Sequence, residues 1–167
     1  IQCILSLIES IRPNISIDLP LNKILIKEYD KIYIKEKEAT NNEEYKIIFE
    51  KELKVNNFIF KQEKDENLDG NNICRIKSNN IKFPLYFRNR KDGDYITLKT
   101  SNVRKKVKEI FIENKIPLSK RKNYPLLVDS KDTIIWIPNL KKSNLCYKKD
   151  ENYDIIIKCI EGDENYE

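Results

Sequence analysis

Residues 81–95 read IKFPLYFRNRKDGDY, and the fold turns on how this stretch is divided. Successive side chains of a β-strand point to opposite faces. That alternation puts Phe83, Leu85 and Phe87 on one face, and Tyr86, Arg88 and Arg90 on the other. The first face reads as core. The second pairs an aromatic ring with two guanidiniums, a set suited to phosphate forks and to stacking on bases. Pro84 has no N–H for a neighbouring strand, which predicts an approachable edge position. Gly93 is one of only 3 glycines in the chain, and with Asp94 it predicts a turn directly behind these arginines. The bland alternative is a hairpin tip whose charges are simply solvated.

On either side of this stretch the pattern is mostly strand. Residues 45–50, 58–63, 73–77 and 81–88 precede the turn, and 125–129, 133–137 and 153–160 follow it, as short apolar or β-branched runs. Between them VRKKVKEIFIEN, 103–114, predicts the principal helix. Val103, Val107, Ile110 and Phe111 form its apolar stripe, with Arg104, Lys105 and Lys108 facing away, and Pro117 ends it. Upstream, Ile1, Ile4, Leu5, Ile8 and Ile11 have helical spacing. ISIDLP, KILIKE and KIYIKE then read as strands, the last two joined by a hairpin. KEKEATNNEE, 35–44, is polar and aperiodic. The class is α+β, with mixed or antiparallel strands and one principal helix, preceded by a helix and short strands from an upstream domain. The expected organisation is an upstream-domain end over 1–38, a linker at 39–44, a main domain over 45–160 and an acidic tail at 161–167. A chain that starts at Ile1 and contains no methionine reads as a fragment of a longer protein.

Charge is unevenly placed. Residues 1–80 hold 13 Lys+Arg against 14 Asp+Glu, residues 81–149 hold 18 against 6, and residues 150–167 hold 1 against 7. A general lysine bias would not gather the excess in the central part, so a basic surface for nucleic acid is the favoured reading. Its candidate residues are Tyr86, Arg88, Arg90, Lys91, Arg104, Lys105, Lys106, Lys108, Lys115, Lys120, Arg121, Lys122, Lys141 and Lys142, with Gly93 and Asp94 as the structural turn. For any single lysine, a solvated helix face is the ordinary explanation. Trp136 reads as buried on its strand rather than as a stacking platform.

The sequence also excludes chemistry. With no histidine, neither Ser-His-Asp nor Cys-His activation can be built within the chain. Its glycines stand singly, so no Gly-rich loop can wrap a nucleotide phosphate. Asp92/Asp94 and Asp129/Asp132 lie in turn-like sequence, where Asp is favoured for bonding nearby backbone. Cys3, Cys74, Cys146 and Cys159 lack the spacing of a metal set and read as reduced, apolar residues of a cytoplasmic protein. No run is long enough for a membrane span, and no catalytic set or metal site is expected here.

Several linked blocks carry a resemblance. RNRKDGD (88–94), KKVKEIFIENKIP (105–117), R-x-x-x-P-L-L (Arg121 to Leu127) and IIWIPNLKKS (134–143) together resemble the C-terminal domain of bacterial tRNA(Ile)-lysidine synthetase. DLPLNKILIKEYDKIYI, 18–34, resembles more loosely the strands after that family's central, substrate-specificity domain. Asp92 stands where the family pattern has proline, Asn139 where it has glycine and Lys141 where it has arginine. The loop TLKTSNV, 97–103, lacks the usual glycines.

The resemblance implies an ATP-dependent ligase that attaches lysine to the wobble cytidine of tRNA(Ile). ATP, Mg and lysine would be handled by an N-terminal domain absent from this sequence. This part would position the tRNA body and acceptor stem, with a fold similar to the B3/B4-type domain of the phenylalanyl-tRNA synthetase β chain. tRNA(Ile) is then the expected partner, and a homodimer through the parent enzyme is compatible. The rival readings are a protein-interaction or dimerisation module with an incidental basic face, and a general RNA-binding domain.

Overall fold

The computed structural model describes residues 2–37, 43–65 and 67–162. In chain order the elements are α1 (Gln2–Glu9), β1 (Asn14–Leu19), β2 (Lys23–Glu28), β3 (Lys31–Glu36), β4 (Lys46–Phe49), β5 (Glu52–Val55), β6 (Phe58–Glu63), β7 (Ile73–Ile76) and β8 (Leu85–Arg88). They continue with β9 (Tyr95–Thr97), β10 (Arg104–Lys106), α2 (Val107–Glu113), α3 (Leu118–Arg121), β11 (Leu126–Val128), β12 (Ile134–Ile137), β13 (Lys141–Lys142) and β14 (Ile155–Glu161). The paired strands are antiparallel, and the α+β class stands. Most of the expected linker, 39–42, and the tail from residue 163 lie outside the described residues, whereas Glu161 closes β14.

The chain forms two compact units. The first comprises residues 1–43 with 115–122 and the second 44–114 with 123–167. In the first, β1, β2 and β3 make a meander whose last two strands match KILIKE and KIYIKE, turning through Tyr29 in the left-handed region. The Lys27 ammonium donates to the carbonyls of Ile8 and Ser10 at 3.3 and 2.6 Å, satisfying groups that the end of α1 leaves open. The expected apolar stripe of α1 is its exposed side at Ile4, Leu5 and Ile8, and Leu7 is the residue it buries.

Segment 115–122 is fixed to this meander by polar contacts. Glu28 is buried and accepts the Ser119 N–H at 3.0 Å and the Tyr33 hydroxyl at 2.8 Å. Arg121 donates to the Ile116 carbonyl at 2.7 Å and to the Tyr29 hydroxyl at 3.0 Å.

The second unit has two larger sheets, in the orders β13-β12-β11-β8-β4 and β5-β6-β14-β7. Phe87 of the first stacks on Phe60 of the second with ring centroids 3.8 Å apart. Phe49 meets Phe87 edge-on, and Trp136 meets Phe60 the same way. Such pairs add about 0.5–1.5 kcal/mol each beyond the burial of their area. Trp136 is fully buried, as its strand pattern predicts, and its Nε1–H donates to the Asn71 carbonyl at 3.1 Å. Val107, Ile110 and Phe111 seat α2 in this core.

Three local expectations change. The helix begins at Val107, because 104–106 pair with β9 as a strand instead. Strand β8 lies inside its sheet between β11 and β4, so it is no edge. Pro84 precedes its first residue, where the missing N–H disturbs no ladder, and Phe83 likewise lies outside the strand and is exposed.

Glu28 provides a pH test of the first unit. Burial alone raises its pKa, but the hydrogen bonds from Ser119 and Tyr33 outweigh this and hold it below the ordinary 4.5. A carboxyl lowered in this way adds stability that is complete above its unfolded value and is lost as pH falls through the folded one. Glu28→Gln should therefore destabilise most near neutrality. The gap from the unaltered chain should shrink below about pH 4 in urea melts.

Candidate nucleic-acid interface

Arg88 ends β8 with its side chain 1% exposed, so it is not on the cationic face where strand alternation placed it. Its Nη1 and Nη2 donate to the two carboxylate oxygens of Asp94 at 2.8 and 2.9 Å. Its Nε donates to Asp132 at 2.7 Å, and Nη1 also reaches the Asn89 carbonyl at 3.0 Å. Burial would lower the Arg88 pKa, yet the hydrogen bonds and charges of Asp94 and Asp132 reverse the direction and hold it above its ordinary value. A guanidinium consumed in this way cannot also fork a phosphate. Arg88 is a structural residue.

The same clamp shapes two turns. Asp94 accepts the Lys91 N–H at 2.8 Å through its side chain and the Val107 N–H at 3.0 Å through its carbonyl, which ties the Gly93 turn to the start of α2. Gly93 has φ +85°, a conformation glycine adopts without Cβ strain. On the other side, Asp129 is buried and accepts the N–H groups of Lys131 and Thr133 at 3.0 and 2.9 Å. Asp132, at φ 65°, delivers its carboxylate from that turn to Arg88. Asp94 and Asp129 thus bond turn backbone as their sequence context predicts, whereas Asp132 gives its carboxylate to Arg88 and Asp92 meets Arg90.

Around the Gly93 turn, Arg90, Lys91, Lys106 and Lys108 line a shallow cleft of about 120 Å³ together with Asp92 and Asp94. Arg90 leans on Asp92 at 3.4 Å. Beyond the turn a larger cleft of about 320 Å³ lies against Tyr95, Thr97, Lys131, Thr133 and Asn144, with Asp94 and Asp132. The Arg104 guanidinium lies over the Tyr95 ring, 4.6 Å from its centroid. Lys131, Tyr95, Thr133 and Asn144 are absent from the sequence-based set. Tyr95 was visible at the end of the 81–95 stretch, while Lys131 and Thr133 were hidden in a segment readable only as a turn.

The other expected residues are dispersed. Tyr86 is half-buried beneath the Lys46 ammonium, 4.6 Å from its ring. Lys105 turns to Glu113 at 2.5 Å. Lys141 is exposed and Lys142 half-buried on β13. Lys115, Lys120 and Lys122 are exposed on the first unit, whereas Arg121 is 6% exposed and holds Ile116 and Tyr29. Arg121 was expected to bind nucleic acid, and its burial within these contacts makes it structural instead. Among the described residues no group of three His, Cys, Asp or Glu could hold a metal, and no helix is long and apolar enough to cross a membrane.

Three thiols are buried. Cys74 and Cys146 stand with their sulfurs 3.6 Å apart in the core, and burial pushes the Cys159 thiol up to about 12. The side chain of Cys3 lies outside the described residues.

Comparison with known proteins gives a consistent result. Residues 85–157 match the family model described as the TilS substrate C-terminal domain. A tRNA(Ile)-lysidine synthase of Bacillus licheniformis is 49% identical over 76 residues, 46% of this chain and 16% of that protein. A tRNA(Ile)-lysidine synthase of Bacillus cereus is 32% identical over 149 residues, 83% of this chain and 30% of the relative. The bifunctional protein TilS/HprT of Listeria monocytogenes is 33% identical over 146 residues, covering 84% and 22% respectively. The crystal structure of a TILS C-terminal domain superposes with a TM-score of 0.66 at 27% identity, covering 73% of this chain and all of that one. The chain thus spans between 16% and 30% of these curated relatives.

Fold and matches together define the class: an antiparallel α+β module of the kind found at the C-terminus of larger proteins. Within that class, the chain belongs to the C-terminal domain family of the tRNA(Ile)-lysidine synthases, the matched domain running over 85–157.

The clamp makes a sharp stability prediction. Arg88→Met leaves two carboxylates facing each other and should cost about 3–5 kcal/mol in chemical denaturation, while Arg90→Met should change stability little. Asn139 has φ 64° at the position where the family pattern carries glycine. Asn139→Gly should be nearly neutral, and Asn139→Val should cost about 1–3 kcal/mol in the same assay.

Proposed function

We propose that the chain is the tRNA-holding part of a tRNA(Ile)-lysidine synthase, the ATP-dependent ligase that attaches lysine to the wobble cytidine of tRNA(Ile) in the bacterial cytoplasm. On this reading residues 1–38 end the central domain, and 45–160 form the C-terminal domain, related to the B3/B4-type domain of the phenylalanyl-tRNA synthetase β chain. ATP, Mg and lysine are handled elsewhere in the parent enzyme, and this part positions the tRNA body and acceptor stem.

The observation that carries the reading is the cluster of Arg90, Lys91, Arg104, Lys106, Lys108 and Lys131 about the Gly93 and 129–133 turns, which the Arg88 ion pairs join. Cations of this kind hold an RNA by its phosphates and shape, without reading sequence. The names of the relatives favour it over a protein-interaction module.

Filter binding of the 167-residue chain to tRNA(Ile) across salt tests it. Affinity should fall linearly on a log–log plot. Arg90→Ala, Lys106→Ala and Lys108→Ala together should weaken binding and reduce the salt slope by roughly 3, about one for each lost phosphate contact. Undetectable binding at low salt, or a triple variant that binds like the parent, would overturn the proposal.

A further inference from the structure

The two clefts flanking Gly93 differ in charge. The smaller sets Arg90, Lys91, Lys106 and Lys108 against Asp92 and Asp94, an excess of two positive charges. The larger sets Lys131 against Asp94 and Asp132, so on the same count of lining residues it carries one negative charge in excess. A phosphate is favoured in the first, where four cations face two carboxylates, and not in the second, where two carboxylates face one lysine. The larger cleft is instead lined by neutral hydrogen-bonding groups of Thr97, Thr133 and Asn144 and by the ring of Tyr95.

Strand register explains the ring's position. Tyr95 pairs with Lys106 and Thr97 with Arg104, so these four side chains share one face of the β9–β10 ribbon, while Ile96 is buried on the other. Tyr95 is 44% exposed, and the guanidinium over it holds the ring in place. The Asp132 side chain is 42% exposed, so its carboxylate can accept an N–H from the cleft besides those of Arg88. The ridge between the clefts is Gly93, where even a Cβ would meet nothing within 4 Å.

We propose that the larger cleft receives the base of an unpaired RNA nucleotide, stacked on Tyr95, while the smaller cleft holds an adjoining phosphate across Gly93. Bases bearing an exocyclic amine can donate to Asp132, and Thr133 and Asn144 supply further polar contacts. This inference rests on the RNA-holding reading and adds to it a site for a single unpaired residue.

The test compares a blunt RNA stem with the same stem extended by one unpaired 2-aminopurine nucleotide, both bound to the complete chain. The extended stem should bind about tenfold more tightly, with quenched 2-aminopurine fluorescence. Tyr95→Phe should keep both effects. Tyr95→Ala should bring the two affinities together and relieve the quenching, and Tyr95→Leu, which keeps bulk but no π face, should match it. Equal affinities for the two stems, or an advantage that survives both Tyr95→Ala and Tyr95→Leu, would overturn the nucleotide site while leaving RNA holding intact. Failure of either stem to bind at low salt would overturn RNA holding, and the nucleotide site with it.

Discussion

The buried guanidinium of Arg88 is the constraint on which the rest of the second unit depends. Two carboxylates from different turns converge on it, one from the Gly93 turn and one from the 129–133 turn. Without the cation, Asp94 and Asp132 would repel each other. Without the carboxylates, the cation could not stay out of water. Each turn is therefore held against the end of β8, and the β9–β10 ribbon leaves the first turn in a fixed direction. A planar guanidinium offers several donors in a rigid fork, which a single ammonium could not reproduce between two acceptors. Loops ordered before a ligand arrives lose less freedom when it binds, which is how a structural ion pair can serve a binding surface that it never touches.

A similar economy separates the basic residues. Arg75, Arg88 and Arg121 are buried, each bonded to a backbone carbonyl, and Arg88 and Arg121 also link parts of the chain distant in sequence. The cations left around the clefts are mainly lysines, with Arg90 and Arg104 beside them. Lysine is a strongly hydrated point charge that remains at the surface at little cost, whereas arginine's fork is suited to ordered acceptors. In this chain the arginines of β7, β8 and α3 are internal ties, whereas Arg104 of β10 stays exposed beside the larger cleft.

That distinction explains what the sequence could and could not disclose. Strands β2, β3 and β6 were legible to the residue, because β-branched runs with a period of two and short polar bounds leave little choice. Three residues of the expected α2 stripe, Val107, Ile110 and Phe111, were legible for the same kind of reason, but Val103 lies before the helix and is exposed. β9, β10 and β13 were not, since two or three residues cannot establish a period, and Arg104–Lys106 carry helix-compatible side chains. For the site, the sequence located the Gly93 turn and much of the cationic cluster. It mistook Arg88 for a surface residue because alternation distinguishes two faces without saying whether the second is covered. Here Asp132, 44 residues away, supplies the cover, and no local pattern announces a partner at that distance.

The departures from the family pattern follow the same logic of backbone demand against side-chain freedom. Asn139 and Asn102 both have φ in the left-handed region, at 64° and 52°. Asparagine is among the few residues with a side chain that tolerate this conformation, so the turns survive the loss of glycine. Asn139 also donates to Glu161 at 3.2 Å, an anchor to β14 that glycine could not provide. Asp92 is different, because its side chain is fully exposed and pairs with Arg90. Replacing proline there places a carboxylate at the mouth of the smaller cleft and partly neutralises the arginine beside it. Attraction for a phosphate must then fall more heavily on Lys91, Lys106 and Lys108, whose ammonium groups form no ion pair with a carboxylate among the described residues.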